Sequence, residues 1–317
     1  MSSVRVRPFR RSDRDQLTQL VNAHAEAVVP GMSVSVNTVL SSLERRPGEF
    51  IEDPWVSERV TLVAEQAGRV AAAAHLLRYF PDERAGVAAR DAGEICWLLF
   101  WPQAPVGNPC WPDATAAAEA LMAACAGQFG DWGVSRQYAG GDLPVPGVYG
   151  IPEQWPHVAG LYQRAGFSHT GQTEVVYLAR VQDLPGPAGV PLDGLAVRRS
   201  VGINGCRLSA VLGPEVAGYI EVEILDQGER LARHGGWADV GNLHVMPSYQ
   251  RRGIGTWLLG QAAGWLRLAE VSRLLTYAWL EGTDPDGQND DAYRAFLAAT
   301  GFRELTRTAR GWERAGS

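Results

Sequence analysis

The 317-residue sequence predicts a mixed α+β protein of the α/β class in which one fold occurs twice. Short apolar segments with the two-residue alternation of strands are interspersed with segments that have the 3.6-residue period of helices. The same order of segments occurs before and after residues 184–191, which are rich in proline and glycine and have no apolar period. We therefore predict domains at 1–182 and 195–317, joined by a linker at 183–194.

The first half contains the elements of a complete domain. Its opening strand alternates apolar and basic residues, and its first helix has apolar residues on one face. Two strands meet at a turn formed by Gly68, and Asp113 is placed to cap an alanine-rich helix. The predicted strands are 4–8, 60–67, 69–77, 94–101 and 174–181, and the predicted helices begin at Ser12 and cover 37–46, 113–128 and 154–165.

The second half repeats this order with one omission, which indicates an internal repeat. Val197 leads almost directly to Cys206, so the two helices that follow the opening strand of the first half are absent or very short. The segments 95–102 and 165–167 correspond to 240–247 and 300–302. The predicted strands are 207–212, 215–224, 237–245, 273–280 and 305–312, and the predicted helices are 255–269 and 291–299.

Residues 250–255, between a buried strand and an amphipathic helix, have the pattern Q/R-x-x-G-x-G. Glycine allows the backbone to approach a ligand closely. The first N–H groups of a helix have no partner within it and lie at the positive end of its dipole, which suits a pyrophosphate. Arg251 and Arg252 add positive charge. No P-loop pattern occurs, and Trp257 and Leu258 stand where a dinucleotide fingerprint needs a third glycine.

The corresponding residues of the first half, 103–110, do not have this pattern. Pro105 and Pro109 lack the N–H groups that a phosphate loop needs. The sequence therefore predicts one pyrophosphate site, in the second half.

Composition excludes several classes of protein. The net charge of −6 and the absence of a basic block argue against nucleic acid as the main partner. No apolar run has the length of a membrane span, and the first residues lack the apolar core of a signal peptide. The four cysteines have no paired spacing, so we expect neither a disulfide framework nor a metal site. We expect a cytoplasmic monomer or homodimer.

The repeated fold and this loop resemble the GNAT acyltransferases, over roughly 4–181 and 195–314. The resemblance implies two tandem GNAT folds, each a mostly antiparallel twisted sheet flanked by helices. It also implies acetyl-coenzyme A as co-substrate, with direct attack of an amine on the thioester in a ternary complex. The pantetheine would lie in a splay between strands 237–245 and 273–280. The coenzyme-binding residues that the resemblance implies are Leu243, His244, Val245, Gln250, Arg251, Arg252, Gly253, Ile254, Gly255 and Thr256.

Members of the family often place a tyrosine four residues before the late glycine, where it protonates the departing thiolate. Tyr162 has this place in the first half, but Leu297 has it in the second. Tyr293 lies one turn earlier on the same face of the helix and is a candidate substitute.

A lysine-like amine, with a pKa of about 10.4, is almost fully protonated at neutral pH, so a general base would help. The candidates are Glu221 and Glu223 on one strand, and Asp239 and His244 on the next. Strand alternation places Asp239 and His244 on opposite faces, so at most one of them shares a face with a carboxylate of the other strand. We select Glu221, His244 and Tyr293 as the predicted catalytic residues.

We therefore predict an N-acetyltransferase that acts on a primary amine of a small molecule, with its active site in the C-terminal domain and a degenerate GNAT domain before it. The acidic residues between 281 and 291 either attract a cationic acceptor or form a solvated loop. The alternatives are a non-catalytic acyl-coenzyme A-binding or sensor protein, a mycothiol synthase-like enzyme, or an antibiotic-modifying acetyltransferase.

Overall fold

The computed structural model describes residues 3–44, 53–102, 113–187, 189–203, 205–224, 236–280 and 290–315. The chain forms two compact units, of which the first comprises Met1–Thr173 with Thr308–Ser317 and the second comprises Glu174–Arg307. The predicted degenerate loop at 103–110, the end of the predicted helix at 37–46 and most of the acidic run lie outside the described residues.

The observed elements follow the predicted order, with short strands added. The strands are β1 (Val4–Pro8), β2 (Val56–Gln66), β3 (Arg69–Tyr79), β4 (Ala92–Phe100), β5 (Arg136–Ala139), β6 (Ile151–Pro152), β7 (Ser168–His169), β8 (Thr173–Arg180), β9 (Leu195–Gly202), β10 (Gly205–Leu212), β11 (Glu215–Ile224), β12 (Trp237–Val245), β13 (Arg273–Trp279), β14 (Arg303–Ala309) and β15 (Trp312–Ala315). The helices are α1 (Arg14–Val28), α2 (Val36–Leu43), α3 (Thr115–Trp132), α4 (Pro156–Arg164), α5 (Ile254–Leu268) and α6 (Asp291–Ala299).

The first unit contains a seven-stranded sheet with the order β1-β2-β3-β4-β5-β15-β7. In this sheet β4 and β5 pair in parallel, and the other neighbours pair antiparallel. The sheet of the second unit runs β14-β8-β13-β12-β11-β10-β9, and there β12 and β13 form the parallel pair. The predicted fold class, with mostly antiparallel sheets flanked by helices, is confirmed.

The first unit has α1 and α2 between its first two strands, whereas no helix lies between β9 and β10 among the described residues of the second unit. There β9 leads to β10 across residues 203–204, and the two strands pair antiparallel along their whole length. This agrees with the missing helices predicted from the repeat.

The two units do not coincide with the predicted domains 1–182 and 195–317. Strand β8 precedes the linker, yet all but its first residue belongs to the second unit, where it pairs with β13. Strand β15 ends the chain, yet it belongs to the first unit, where it pairs with β5 and β7. The predicted last strand 305–312 is divided between β14 and β15 at Gly311, whose φ of +67° favours glycine.

The predicted linker begins as a packed part of the second unit. Arg267 donates hydrogen bonds of 2.8 Å to the carbonyls of both Val181 and Leu184. These bonds supply partners to backbone carbonyls that would otherwise have none. A Cβ on Gly260 of α5 would approach the carbonyl oxygen of Gly186 to 2.6 Å, so this helix position needs glycine. The composition of the segment correctly indicated that it is irregular, but its backbone is held against α5.

Candidate active site

The candidate site begins where strands β12 and β13 diverge. They pair only as far as Asp239 opposite Leu275, and both strands continue beyond this point. The divergence leaves a cavity of about 590 Å³, which we call the splay cavity. Thr276 and Tyr277 both line it. Because successive residues of a strand point to opposite faces, the splay cavity reaches both faces of the sheet.

One face of this sheet is covered by helices. Leu274 and Ala278, which alternate with Tyr277 on β13, are buried in one core with residues of α5. We call this side the helix face and the other side the opposite face. Tyr277 and its β8 neighbour Val176 therefore point to the opposite face.

A second cavity of about 600 Å³ lies between the loop that precedes α5 and the helix α6, and we call it the loop cavity. It shares Leu243, His244 and Tyr293 with the splay cavity. A ligand that fills the loop cavity can therefore reach the gap between β12 and β13.

The loop ends in a helix N-terminus that is open to a ligand. Gly253, the N-cap of α5, has a φ of +81°, which L-residues with side chains rarely adopt. The N–H of Trp257 donates to the Gly253 carbonyl at 3.0 Å, and the N–H groups of the helix before it have no intrahelical acceptor. Gln250 donates from Nε2 to the Val245 carbonyl at 3.1 Å, which ties the loop to the end of β12.

Gly255 has a different role in the same turn. Its φ is not positive, and a Cβ there would meet the ring of Phe296 at 3.5 Å, an ordinary van der Waals distance. The fold therefore does not need glycine at 255. Because Gly255 lines the loop cavity, the missing side chain leaves space for a ligand.

Nine of the ten residues implied as coenzyme contacts line the loop cavity. Arg252 is the exception, and its guanidinium lies 5.8 Å from the centre of the Tyr249 ring. The nine are Leu243, His244, Val245, Gln250, Arg251, Gly253, Ile254, Gly255 and Thr256.

Tyr293 stands where the two cavities meet. Its hydroxyl is 2.7 Å from Oγ1 of Thr276. Burial raises the pKa of Tyr293 to about 12, although the hydrogen bond with Thr276 opposes the rise. The phenol is therefore protonated at neutral pH. Leu297, which has the usual tyrosine position, is buried in the core.

Asp239 marks the last paired residue before the splay. Its Oδ2 accepts a hydrogen bond of 2.7 Å from the Tyr277 hydroxyl, and its buried Oδ1 has no hydrogen-bond partner among the described residues. Burial raises the pKa of Asp239 to about 7, and the charges of Glu223 and Glu174 add to the rise. The hydrogen bond from Tyr277 opposes it. A carboxyl with this pKa exchanges protons near neutral pH.

A β-bulge changes which residues share the face of Asp239. Val240 pairs with Val222 and Asn242 with Glu221, so Gly241 is the extra residue. The expectation that Asp239 and His244 lie on opposite faces is therefore wrong, because the bulge shifts the alternation by one. Both point to the opposite face, as do the side chains of Glu221 and Glu223.

The predicted catalytic residues differ in where they lie. His244 is exposed and lines both cavities, with its ring 5.8 Å from that of Tyr219. Glu221 is only 1% exposed and lies outside the described lining of both cavities. Its carboxylate accepts hydrogen bonds from Arg207 Nε at 2.6 Å and from the Ile203 N–H at 3.3 Å. The structure therefore brings His244 and Tyr293 together but not Glu221.

The first unit has the same bulge and a similar acidic residue. Cys96 is the extra residue of β4, and Glu94, two residues before it, accepts a hydrogen bond from Tyr79. Burial raises the pKa of Glu94, as it does that of Asp239. Tyr162 is fully buried there, and its hydroxyl donates to the Gly140 carbonyl at 3.0 Å. The tyrosine of this copy thus has a partner within the fold.

Comparison with known proteins identifies this architecture. Residues 193–302 match the model of the acetyltransferase (GNAT) family. No curated protein matches the sequence. The matched segment contains the loop cavity and all of the described lining of the splay cavity except Glu174.

Solved structures extend the likeness to the whole chain. A tandem GNAT protein from the clavulanic acid biosynthesis pathway is 17% identical, with a TM-score of 0.66 and coverage of 99% of both chains. A GNAT protein from Sphaerobacter thermophilus is 14% identical, with a TM-score of 0.58 over 98% of this chain and 95% of that one. A glucosamine N-acetyltransferase region of a fungal β-N-acetylglucosaminidase is 13% identical, with a TM-score of 0.61 over 99% of this chain and 38% of that protein. The whole chain therefore has the fold of a tandem GNAT protein, as its sequence predicted, and residues 193–302 match the family model.

Among the described residues, no helix is long and apolar enough to cross a bilayer.

Proposed function

We propose that this protein is an N-acetyltransferase that transfers the acetyl group of acetyl-coenzyme A to a primary amine of a small molecule, with one active site in the second unit. The observation that carries the proposal is the pair of cavities joined at Leu243, His244 and Tyr293. One cavity begins at a helix N-terminus suited to a pyrophosphate, and the other passes through the sheet. A thioester and an amine can thus meet from opposite sides.

The donor would occupy the loop cavity. The first-turn N–H groups of α5 and the side chain of Arg251 favour the pyrophosphate, and Gly255 leaves room for it. The pantetheine arm would then run along Leu243 to Val245 at the end of β12, where the two cavities join.

The acceptor would enter the splay cavity from the opposite face. The amine nitrogen attacks the thioester carbon, a C–N bond forms, and the C–S bond breaks. The proton lost by the amine passes toward Asp239 through the Tyr277 hydroxyl that is hydrogen-bonded to it. The thiolate takes a proton from the Tyr293 hydroxyl. His244 lines both cavities and is the alternative base.

A non-catalytic acyl-coenzyme A sensor is the second candidate, and Leu297 is the observation that favours it. The usual acid is absent there, and the buried leucine cannot donate a proton. Tyr293, at the junction of the cavities, supports catalysis instead.

Two measurements test the proposal. Calorimetric titration with acetyl-coenzyme A should show one site per chain, and Gly253→Glu should remove it, because a side chain at positive φ distorts the loop and the added charge repels phosphate. Release of free thiol with a panel of small amines should show turnover. Because the sequence contains no lysine, acetylation of the enzyme's own lysines cannot contribute to that signal. Binding that survives Gly253→Glu contradicts the donor site, and binding without turnover favours the sensor.

A further inference from the structure

Glu174 places an acidic side chain in the lining of the splay cavity. It lies on β8 opposite Trp279 of β13, and both residues line the splay cavity. Residues paired across two strands point to the same face, so Glu174 and Trp279 share the opposite face with Tyr277. Glu174 thus stands on the side from which the acceptor enters in the proposed function.

The rest of the lining also favours a cation. Asp290, which precedes α6, lines the splay cavity, and its Oδ2 accepts a hydrogen bond of 2.8 Å from the Trp279 N–H. The rings of Tyr277, Trp279 and Tyr293 line the same space, and aromatic faces attract cations. No lysine or arginine is present in the lining that the structure describes. This combination of carboxylates and aromatic rings suits an ammonium or guanidinium group.

The influence of Glu174 extends to the site of proton transfer. After burial, the charges of Glu223 and Glu174 both raise the pKa of Asp239. Glu174 therefore lies close enough to Asp239 to influence its ionisation, although β8 precedes the linker in the sequence.

We propose that the acceptor carries a second cationic group beside the amine that reacts, and that Glu174 is the residue that selects for it. This inference rests on the proposed function. It assigns the acceptor to the class of diamines or amines that bear a guanidinium, and it makes a residue that precedes the linker part of the acceptor site. An acceptor with an anionic group would meet an unfavourable potential in the cavity, and one without a second charge would gain nothing from that potential.

The test compares 1,4-diaminobutane with 1-aminobutane, which differ in the second ammonium group. We expect the full-length enzyme to prefer the diamine by roughly tenfold in kcat/KM at low ionic strength, and less in salt. Glu174→Gln should lower kcat/KM for the diamine more than for the monoamine and so remove most of the preference. Asp183→Asn, which removes an exposed carboxylate beyond the other end of β8, should keep the preference.

Calorimetric binding of the two amines in the presence of coenzyme A separates this inference from the proposed function. If the diamine binds more tightly than the monoamine and Glu174→Gln removes the difference, the inference is supported even if no amine is turned over. Absence of turnover with every amine would overturn only the proposed function. Equal kcat/KM and equal binding of the two amines, or a preference that Glu174→Gln leaves intact, would overturn the inference.

Glu174→Gln should also move the midpoint of the pH–rate profile to lower pH, because it removes a charge that raises the pKa of Asp239. A purely structural role of Glu174 would not move this midpoint.

Discussion

The hydroxyl of Tyr277 donates a hydrogen bond of 2.7 Å to Oδ2 of Asp239 at the last paired residue before β12 and β13 part. Tyr277 lines the splay cavity, and Asp239 lies behind it with a pKa raised to about 7. The pair thus links the space proposed for the acceptor to a carboxyl that can accept a proton near neutral pH.

Asp239→Asn should lower kcat by about 100-fold or more, because the amide keeps an acceptor for Tyr277 but cannot take a proton. The wild-type rate should rise with pH through about 7, as Asp239 ionises. Glu223→Gln is the control and should move the midpoint to lower pH, since the charge of Glu223 raises this pKa. If the pH–rate profile of Asp239→Asn is the same as that of the wild type, another residue is the base, and His244 is the remaining candidate in the cavity.

The same carboxyl should affect stability in a defined direction. Its pKa is higher in the folded protein than in the unfolded chain, so the folded state binds more protons between about pH 4 and pH 7. The free energy of unfolding therefore falls as pH rises through this window. Asp239→Asn should be more stable than wild type at pH 8 by up to about 4 kcal/mol, and should show little gain at pH 4. Urea denaturation at the two pH values measures the difference, and an equal effect at both would contradict the buried carboxyl.

Tyr293→Phe should lower kcat by about 10- to 100-fold, with a smaller change in KM, because only the proton donor for the thiolate is lost. Thr276→Val is the matched control, since it removes the partner of the hydroxyl and leaves the phenol in place. Steady-state kinetics should therefore separate the two variants. An equal loss in both would indicate that the hydrogen bond organises the cavity and that the phenol is not the acid.

Gly255→Ala should weaken acetyl-coenzyme A binding by about tenfold or more without destabilising the fold. A methyl group at 255 makes ordinary contact with Phe296 but occupies space in the loop cavity. Gly264→Ala on the same helix is the control, since a Cβ there meets only Pro187, at 3.8 Å. It should leave binding unchanged and raise stability by about 0.5–1 kcal/mol, as expected for glycine in a helix. Calorimetry and thermal unfolding of both variants provide the comparison, and wild-type affinity in Gly255→Ala would exclude close approach of the ligand.

Trp312→Ala should destabilise the first unit although the residue lies five positions from the end of the chain. Trp312 is 3% exposed, with its ring 5.3 Å from that of His169 and 6.1 Å from that of Tyr162. Removing so large a buried side chain typically costs about 3–5 kcal/mol. Hydrogen exchange should show the loss of protection in β5 and β7, which pair with β15. Loss confined to the second unit would contradict the observed position of β15.

Much of the fold could be predicted because its signals are local. The apolar period of each segment, the repeat of the segment order and the two glycines at 253 and 255 are present in short windows of sequence. The helix at 291–299 and the strand at 237–245 were predicted at the bounds that the structure has. Nine of the implied coenzyme contacts line one cavity because they lie close together in the sequence, at the end of a strand, in a loop and in the first turn of a helix.

The residues that sequence reasoning missed or misplaced all depend on contacts between distant segments. The bulge at Gly241 is a property of how two strands pair, so the alternation of β12 taken alone put Asp239 and His244 on opposite faces. The strand pattern of β8 and of β15 carries no information about which sheet each one joins or which strands it pairs with. For that reason the sequence places Glu174 in the first domain, and its position in the lining of the splay cavity follows only from the folded structure.

The sequence by itself therefore determined the class of fold, its duplication and the position of the glycine-containing loop before α5, because these follow from periodicity and from glycine within a few residues. The tertiary structure decided the burial that raises the pKa of Asp239 to about 7, the pairing of Glu221 with Arg207, and the position of Glu174 at the splay. Burial, ion pairing and strand order depend on contacts with residues that are remote in sequence. They are therefore defined only once the chain is folded.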